Sequence, residues 1–410
     1  MKTQTASNVP KIRLKGYASE WEEKPIGEIL SEKKRPITLQ DHQQYELITV
    51  KRRNEGVVSR GQLFGRDILV KNYAELETGD FVISKRQVVH GATGMISAKL
   101  NGAIVSNEYL VAVNSSQLLT EFLTILASLP EMRQKFFLSS YGVDIEKLFF
   151  DVEDWKKRTV VIPSVEEQAK IGGYFRELDS LIELHQRKHD KLVTLKKVMV
   201  QKMFPQPGAT TPEIRFKGFE GDWEEMRLGA LCAIGDADHW MPKTTSQGIP
   251  YVMTGDFFGV NEIDFENAKL ISEADYEKLS RKIKPELGDI LFARYASVGS
   301  VRLVRTIRKF IISYSCAILK NNSSFNSQYL FYMLQSDSSQ NQLKQSINTG
   351  SQGNVGIESL KQLTVIFPDK SEQNQIGTYF CTLDALISQH TTKLQKLQQL
   401  KSACLEKMFV

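Results

Sequence analysis

Cysteine, histidine, carboxylate pairs and glycine-rich turns are where a chain of 410 residues could do chemistry, and here their spacing assigns none of the familiar reactions. Cys232, Cys316, Cys381 and Cys404 form no C-x-x-C pair, so the zinc and dithiol patterns are missing and free, largely buried thiols are expected. There is no Gly-x-x-x-x-Gly-Lys-Ser/Thr phosphate loop and no Gly-x-Gly-x-x-Gly; Gly91-Ala92-Thr93-Gly94 is only turn-like. No two prolines are adjacent, which removes the Asp/Asn-Pro-Pro-aromatic motif of amino-methyltransferases. Glu22/Lys24 and Glu32/Lys34 have the Glu-x-Lys spacing of metal-dependent nucleases, but no aspartate precedes them, the first being Asp41. The six histidines are scattered, and no Ser/His/Asp or Cys/His set occurs twice. A chain without catalysis, without a metal and without a cofactor of its own is expected.

The residues that do carry information are repeated ones. Ile12-Arg13-Leu14-Lys15-Gly16-Tyr17, Trp21-Glu22-Glu23 and Ile26-Gly27 return as Ile214-Arg215-Phe216-Lys217-Gly218-Phe219, Trp223-Glu224-Glu225 and Leu228-Gly229, at a constant offset of 202. Pro163, Glu167-Gln168, Ile171-Gly172, Tyr174-Phe175, Leu178-Asp179, Leu181-Ile182 and His185 return as Pro368, Glu372-Gln373, Ile376-Gly377, Tyr379-Phe380, Leu383-Asp384, Leu386-Ile387 and His390, at an offset of 205. The segments between, roughly 30–160 and 230–365, are far less alike. They keep a turn leading into an apolar strand (Gly79-Asp80-Phe81-Val82-Ile83 and Gly288-Asp289-Ile290-Leu291-Phe292) and amphipathic helices at Leu118–Leu129 and Tyr329–Leu334. Each also ends in a strand closed by proline, Thr159–Pro163 and Thr364–Pro368. The fold class expected is α+β: two mixed α/β domains, two long, antiparallel, coiled-coil-like helices, and an internal pseudo-twofold repeat. The domains would be 1–165, 166–204 (helix), 205–370 and 371–410 (helix).

Apolar residues in the helical segments recur every seven positions. The helix-pair interface expected from this is Ile171, Leu178, Leu181, His185, Leu192 and Leu195 against Ile376, Leu383, Leu386, His390, Leu397 and Leu400. If a pseudo-twofold axis relates the copies, equivalent positions meet at the helix midpoints, which are His185 and His390. Composition adds little: 41% hydrophobic, 25% charged and a net charge of +5 fit a globular protein and permit a polyanionic partner without requiring one. No apolar run is long enough for a bilayer and residues 1–10 are polar, so a cytoplasmic protein with no membrane contact is expected.

The ordered set of motifs resembles the specificity subunit of type I restriction–modification systems. It comprises the repeated Ile-Arg-Phe-Lys-Gly-Phe…Trp-Glu…Leu-Gly lead-in, the Gly288–Arg294 strand and the Pro-x-x-x-Glu-Gln-x-x-Ile-Gly helix start. The first copy departs at Val82-Ile83-Ser84-Lys85-Arg86. The resemblance implies a non-enzymatic subunit whose two target-recognition domains each read half of a bipartite double-stranded DNA site, with the helices setting the gap. It further implies two methyltransferase subunits carrying S-adenosylmethionine, and two restriction/translocase subunits using ATP and Mg.

Base readout needs donors and acceptors on groove-facing loops, and phosphate contact needs Lys or Arg. In the first domain the DNA-binding candidates are Lys51, Arg52, Arg53, Arg60, Lys85, Arg86, Gln87, His90, Ser140 and Tyr141. In the second they are Arg294, Tyr295, Ser297 and Arg302 with the basic series Arg305, Arg308 and Lys309, and the polar loop residues Asn348, Thr349, Ser351, Gln352 and Asn354. The competing expectation is a duplicated helical scaffold whose globular heads bind protein; diversified loops on a conserved frame argue against it. A duplicated hydrolase fails on the absent shared catalytic set.

Overall fold

The computed structural model describes residues 8–69, 72–347 and 353–410. The chain divides into two compact units, Met1–Leu184 with Leu394–Val410, and His185–Lys393. Each long helix, Val165–Lys202 and Lys370–Lys407, therefore contributes to both units. Each spans about 57 Å at about 1.5 Å per residue. Among the described residues no helix is long and apolar enough to cross a membrane.

In the first unit, Glu22–Pro25 pairs antiparallel with Thr159–Ile162 and ties the two ends of the head together. Between them lie a four-stranded antiparallel sheet, ordered Ser31–Glu32, Tyr109–Val113, Phe81–Ser84, Thr93–Met95, and a five-stranded sheet. The five strands are ordered Pro36–Ile37, Tyr73–Glu75, Ile104–Ser106, Gln44–Val50, Val57–Phe64. The apolar run Phe81-Val82-Ile83 is buried on both faces: Phe81 and Ile83 pack towards the helices, Val82 towards the five-stranded sheet. That is why it reads as continuous rather than alternating.

The second unit repeats the frame. Glu224–Arg227 pairs with Thr364–Phe367 in the same register, Glu224 opposite Phe367 as Glu22 is opposite Ile162. Its four-stranded sheet is ordered Ile234–Asp236, Cys316–Leu319, Ile290–Ala293, Val301–Leu303. Among the described residues the five-stranded sheet has no equal; a three-stranded sheet, Lys269–Ile271, Ile249–Val252, Ile311–Ile312, and a short hairpin, Phe257–Phe258 with Glu262–Ile263, replace it.

The repeated motifs at the helix starts are explained by what they touch. Glu167 receives a bidentate pair of hydrogen bonds from Arg13, at 2.8 and 2.6 Å, and Glu372 receives the same from Arg215, both at 2.8 Å. Both carboxylates are fully buried, so the lead-in arginine is required wherever the helix glutamate is kept. Gln168 and Gln373 donate back to the carbonyls of Pro163 and Pro368, at 3.0 and 2.9 Å. Each also accepts a backbone N–H from the start of the neighbouring short helix, Leu119 and Asn326. Gly172 and Gly377 let those short helices approach: a Cβ at Gly377 would lie 3.0 Å from Gln328 Cβ and 3.2 Å from the Tyr329 nitrogen. Gly173 has no such neighbour, and Thr378 stands in its place in the second copy.

Within each unit the long helices run antiparallel. In the second unit His185 and His390 meet Nδ1 to Nδ1 at 2.8 Å, Lys196 pairs with Asp384 at 2.7 Å, and Phe204 stacks on Phe380. In the first, Lys401 pairs with Asp179 at 2.6 Å and Phe409 packs on Phe175. These are the same pairs with the copies exchanged.

The interface expected from the seven-residue spacing needs one correction. Ile171, Leu178, Ile376, Leu383 and Leu397 are buried, and Leu192, His185 and His390 half-buried, but Leu181, Leu195, Leu386 and Leu400 are exposed. The second row of the seam lies four residues on, not three: Phe175 and Met203, and Phe380, Ile387, Leu394 and Met408, are buried. Positions i+3 and i+4 fall on opposite sides of position i, and the partner helix covers only the i+4 side.

Candidate nucleic-acid interface

In the first head the turn Lys51–Gly56 joins Gln44–Val50 to Val57–Phe64 and carries three consecutive basic residues. Arg53 and Asn54 sit in the left-handed region, at φ 60° and 57°. Such backbone persists only where neighbours hold it. The Arg53 and Asn54 nitrogens donate to the carbonyls of His90 and Gly91, at 2.7 and 2.9 Å, and Thr93 Oγ1 donates to Asn54 Oδ1. Lys51, Arg52 and Arg53 are thus presented on a braced turn, all exposed; Arg52 pairs with Glu146 at 2.7 Å. Exposed ion pairs of this kind are weak and open readily to a competing anion.

The other first-head candidates divide. Arg60 is exposed on the edge strand, and Arg86 is exposed, bonded to Glu108 at 2.8 Å and lying over Phe149. His90 is half-buried, 3.6 Å from Glu146, and Gln87 is half-buried in the same turn. Lys85 donates to the Asn107 carbonyl at 2.8 Å. Ser140 is turned inward, donating to the Phe136 carbonyl at 2.7 Å, whereas Tyr141 is exposed against Phe149.

In the second head two expected contacts are engaged by the fold itself. Arg294 is buried, paired with Asp236 and donating to the carbonyls of Val355 and Tyr314. Arg302 is buried, donating to the carbonyls of Val301, Glu262 and Phe258, at 2.7, 3.0 and 3.2 Å. It staples the short hairpin to the sheet, and burial pulls its pKa down. Neither guanidinium is presented to solvent, because each saturates nearby carbonyls that would otherwise be stranded. Tyr295 is half-buried, edge-on to Tyr314 and bridged through its backbone to Asn354. Ser297 is exposed beside Ala296, a non-glycine residue at φ 55°. Arg308 and Lys309 are exposed and paired with Glu266 and Glu273, and Arg305 donates to Cys381 Sγ at 3.2 Å. Asn348, Thr349, Ser351 and Gln352 lie outside the described residues.

Sequence reasoning missed the turn after Ile234–Asp236. His239 stacks on Tyr314 with ring centres 4.9 Å apart, Lys282 reaches Asp236 at 3.1 Å, and Lys278 lies over Trp240. A cationic, aromatic surface gathers there beside Tyr295. Nothing in the repeat pointed to it, because His239-Trp240 has no counterpart in the first copy; the one signal was an aromatic pair following an apolar strand.

Two stretches, residues 18–194 and 220–399, each match the type I restriction modification DNA specificity domain. The chain belongs to that family. It is a DNA specificity subunit, the non-catalytic kind of subunit in type I restriction–modification, and the two matches fall on the two copies seen in its sequence. Its fold is similar to the crystal structure of the type I restriction–modification system S subunit from M. genitalium, at 14% identity over 98% of this chain and 99% of that one, with a TM-score of 0.62. The HsdS subunit from Thermoanaerobacter tengcongensis is also similar, at 18% identity over 95% and 96% of the two chains, with a TM-score of 0.45. The specificity subunit thus shares with the M. genitalium protein a duplicated α+β domain followed each time by a long helix.

Proposed function

We propose that each head reads one half of a bipartite double-stranded DNA target, that the helix pair sets the gap, and that methyltransferase subunits dock on the helices. The recognition domains would be 1–165 and 205–370, with 166–204 and 371–410 as spacers. The observation that carries this proposal is that two copies of one specificity domain keep the same frame while presenting different side chains on their loops. In the first head Lys51–Arg53, Arg60, Arg86 and Tyr141 would meet the duplex; in the second, Tyr295, Ser297 and the loop through Asn354, with His239 and Trp240 beside them. Exposed arginines and lysines would supply the salt-dependent phosphate term, and the polar loop residues the base readout.

The exposed leucines support docking. In the first unit Leu181 and Leu400 are exposed on the helices, and in the second their equivalents Leu386 and Leu195. The same exposed leucines recurring in each unit fit two copies of one partner. S-adenosylmethionine, ATP and Mg would be held by the methyltransferase and restriction/translocase subunits. Co-expression with the methyltransferase, followed by mapping of methylated adenines, tests the proposal. A two-part motif with a fixed gap is expected, and exchanging residues 30–160 should change one half only; a change in both halves, or in neither, overturns it.

A further inference from the structure

The heads differ in charge at a place where their frames coincide. Phe81 and Ile290 begin equivalent strands, and their partners Ala112 and Leu319 pair in turn with Glu32 and Ile234. Two residues on from these stand Lys34 and Asp236, and at the far end of the equivalent strands stand Lys85 and Arg294. The second head therefore holds a buried Arg294–Asp236 ion pair where the first holds two lysines.

Both lysines line a cavity of about 580 Å³, together with Tyr73, Ser106, Asn107 and Tyr109. Lys85 spends one donor on the Asn107 carbonyl and keeps two. Among the described residues no carboxylate lies within ion-pair distance of Lys34 or Lys85. Glu32 and Glu153 also line the cavity, but Lys156 holds both, and the nearby Glu108 is bonded to Arg86. Burial, then the neighbouring Lys34, push the Lys85 pKa down against the opposing pull of Glu108 and Glu32, and burial pushes the Tyr109 phenol up while Arg60 opposes it. Lys34 and Lys85 thus face a polar cavity whose carboxylates are engaged by Lys156, and an entering anion would supply the direct partner that neither lysine has among the described residues.

We infer that this cavity is an oxyanion subsite of the first head, taking a phosphate group between Lys34 and Lys85, and that the second head has replaced it with its own ion pair. Ser106 and the Tyr73 and Tyr109 hydroxyls supply the neutral donors around that group. The phosphate is a phosphodiester of bound DNA, an assignment of source that rests on the specificity function above; a free phosphate would use the same donors. The two heads would then grip the backbone differently, one through a recessed phosphate and the other through surface residues alone.

Two variants of the full chain test the subsite: Lys85→Gln, and the transplant Lys34→Asp with Lys85→Arg, which installs the second head's pair. Thermal melting should leave the transplant close to the parent, because the pair is already accommodated in the same frame. Duplex affinity is measured from about 50 to 200 mM salt, where loss of one phosphate contact lowers the slope of log K against log salt by about 0.9. Inorganic phosphate is titrated separately by calorimetry. A reduced slope in both variants, with no binding of inorganic phosphate, is the expected result. Binding of inorganic phosphate by the parent and by neither variant, with an unchanged slope, keeps the subsite and assigns it to a free phosphate. An unchanged slope together with unchanged phosphate binding overturns the inference. If the chain alone binds no duplex, the slope is measured on its complex with the methyltransferase subunits; absence of duplex binding there overturns the proposed reading of DNA, and the phosphate titration alone then decides the subsite.

Discussion

The strand ribbon, helix start and four-stranded sheet of the first head follow the same register and order as those of the second, whereas among the described residues the five-stranded sheet of the first head gives way to a three-stranded sheet and a hairpin in the second. The conserved parts are those that face another conserved part: Arg13 faces Glu167, Gln168 faces Pro163, and Phe409 faces Phe175, each with its copy elsewhere in the chain. The divergent parts face solvent or the inside of their own head. A side chain bound to a repeated partner can change only with it, whereas the exposed side chain of a loop residue such as Arg53 or Ser297 has no repeated partner to change with.

The sharpest way to break that contrast is through the frame. Arg215→Ala leaves Glu372 charged and buried, and should cost about 3 kcal/mol or more in denaturant unfolding. Arg52→Ala, which removes an exposed pair on a loop, should stay within about 0.5 kcal/mol. Equal effects would erase the distinction between frame and loop.

The seam offers a second test. Leu383→Ala should cost about 2–5 kcal/mol, while Leu386→Ala three positions along should cost about 0.5 kcal/mol or less and instead weaken co-purification of a methyltransferase partner. Glycine spacing gives a smaller effect of opposite signs. Gly377→Ala should destabilise by about 1 kcal/mol, because the added carbon meets Gln328 and the Tyr329 backbone. Gly173→Ala, whose added carbon would meet only the end of the Arg176 side chain at 3.7 Å, should stabilise by up to about 1 kcal/mol.

The smallest expected effect is on pH dependence. Burial, then His390, Lys393 and Lys188, hold the His185 pKa below its ordinary value. The unfolded chain therefore binds a proton that the folded seam resists, so stability is complete above about pH 6.5 and declines as pH falls below it. Denaturant midpoints between pH 7.5 and 5 should fall less steeply in His185→Gln than in the parent.

Much of this was legible in the residues. The duplication, the antiparallel helix pair and the place of His185 and His390 follow from spacing, because antiparallel helices carrying the same seven-residue pattern over the same length meet at their equivalent midpoints. The candidate site was legible only in part. Arg294 and Arg302 carry the same charge as Arg52 and Arg53, and nothing in their neighbours along the chain says that carbonyls from Val355, Tyr314, Glu262 and Phe258 will close around them. The leucine rows misled for a related reason: a seven-residue spacing names two candidate rows, and only the approach direction of the second helix selects between them.

What the sequence determined by itself is the frame: which segments were copied and which helices pair. What tertiary structure decided is which charges remain available. Lys34 and Lys85, 51 residues apart in sequence, share one cavity, while Asp236 reaches across the second head to take Arg294 out of play. Charge is a property of a residue, but its availability depends on which acceptors the rest of the chain brings within about 3 Å of it.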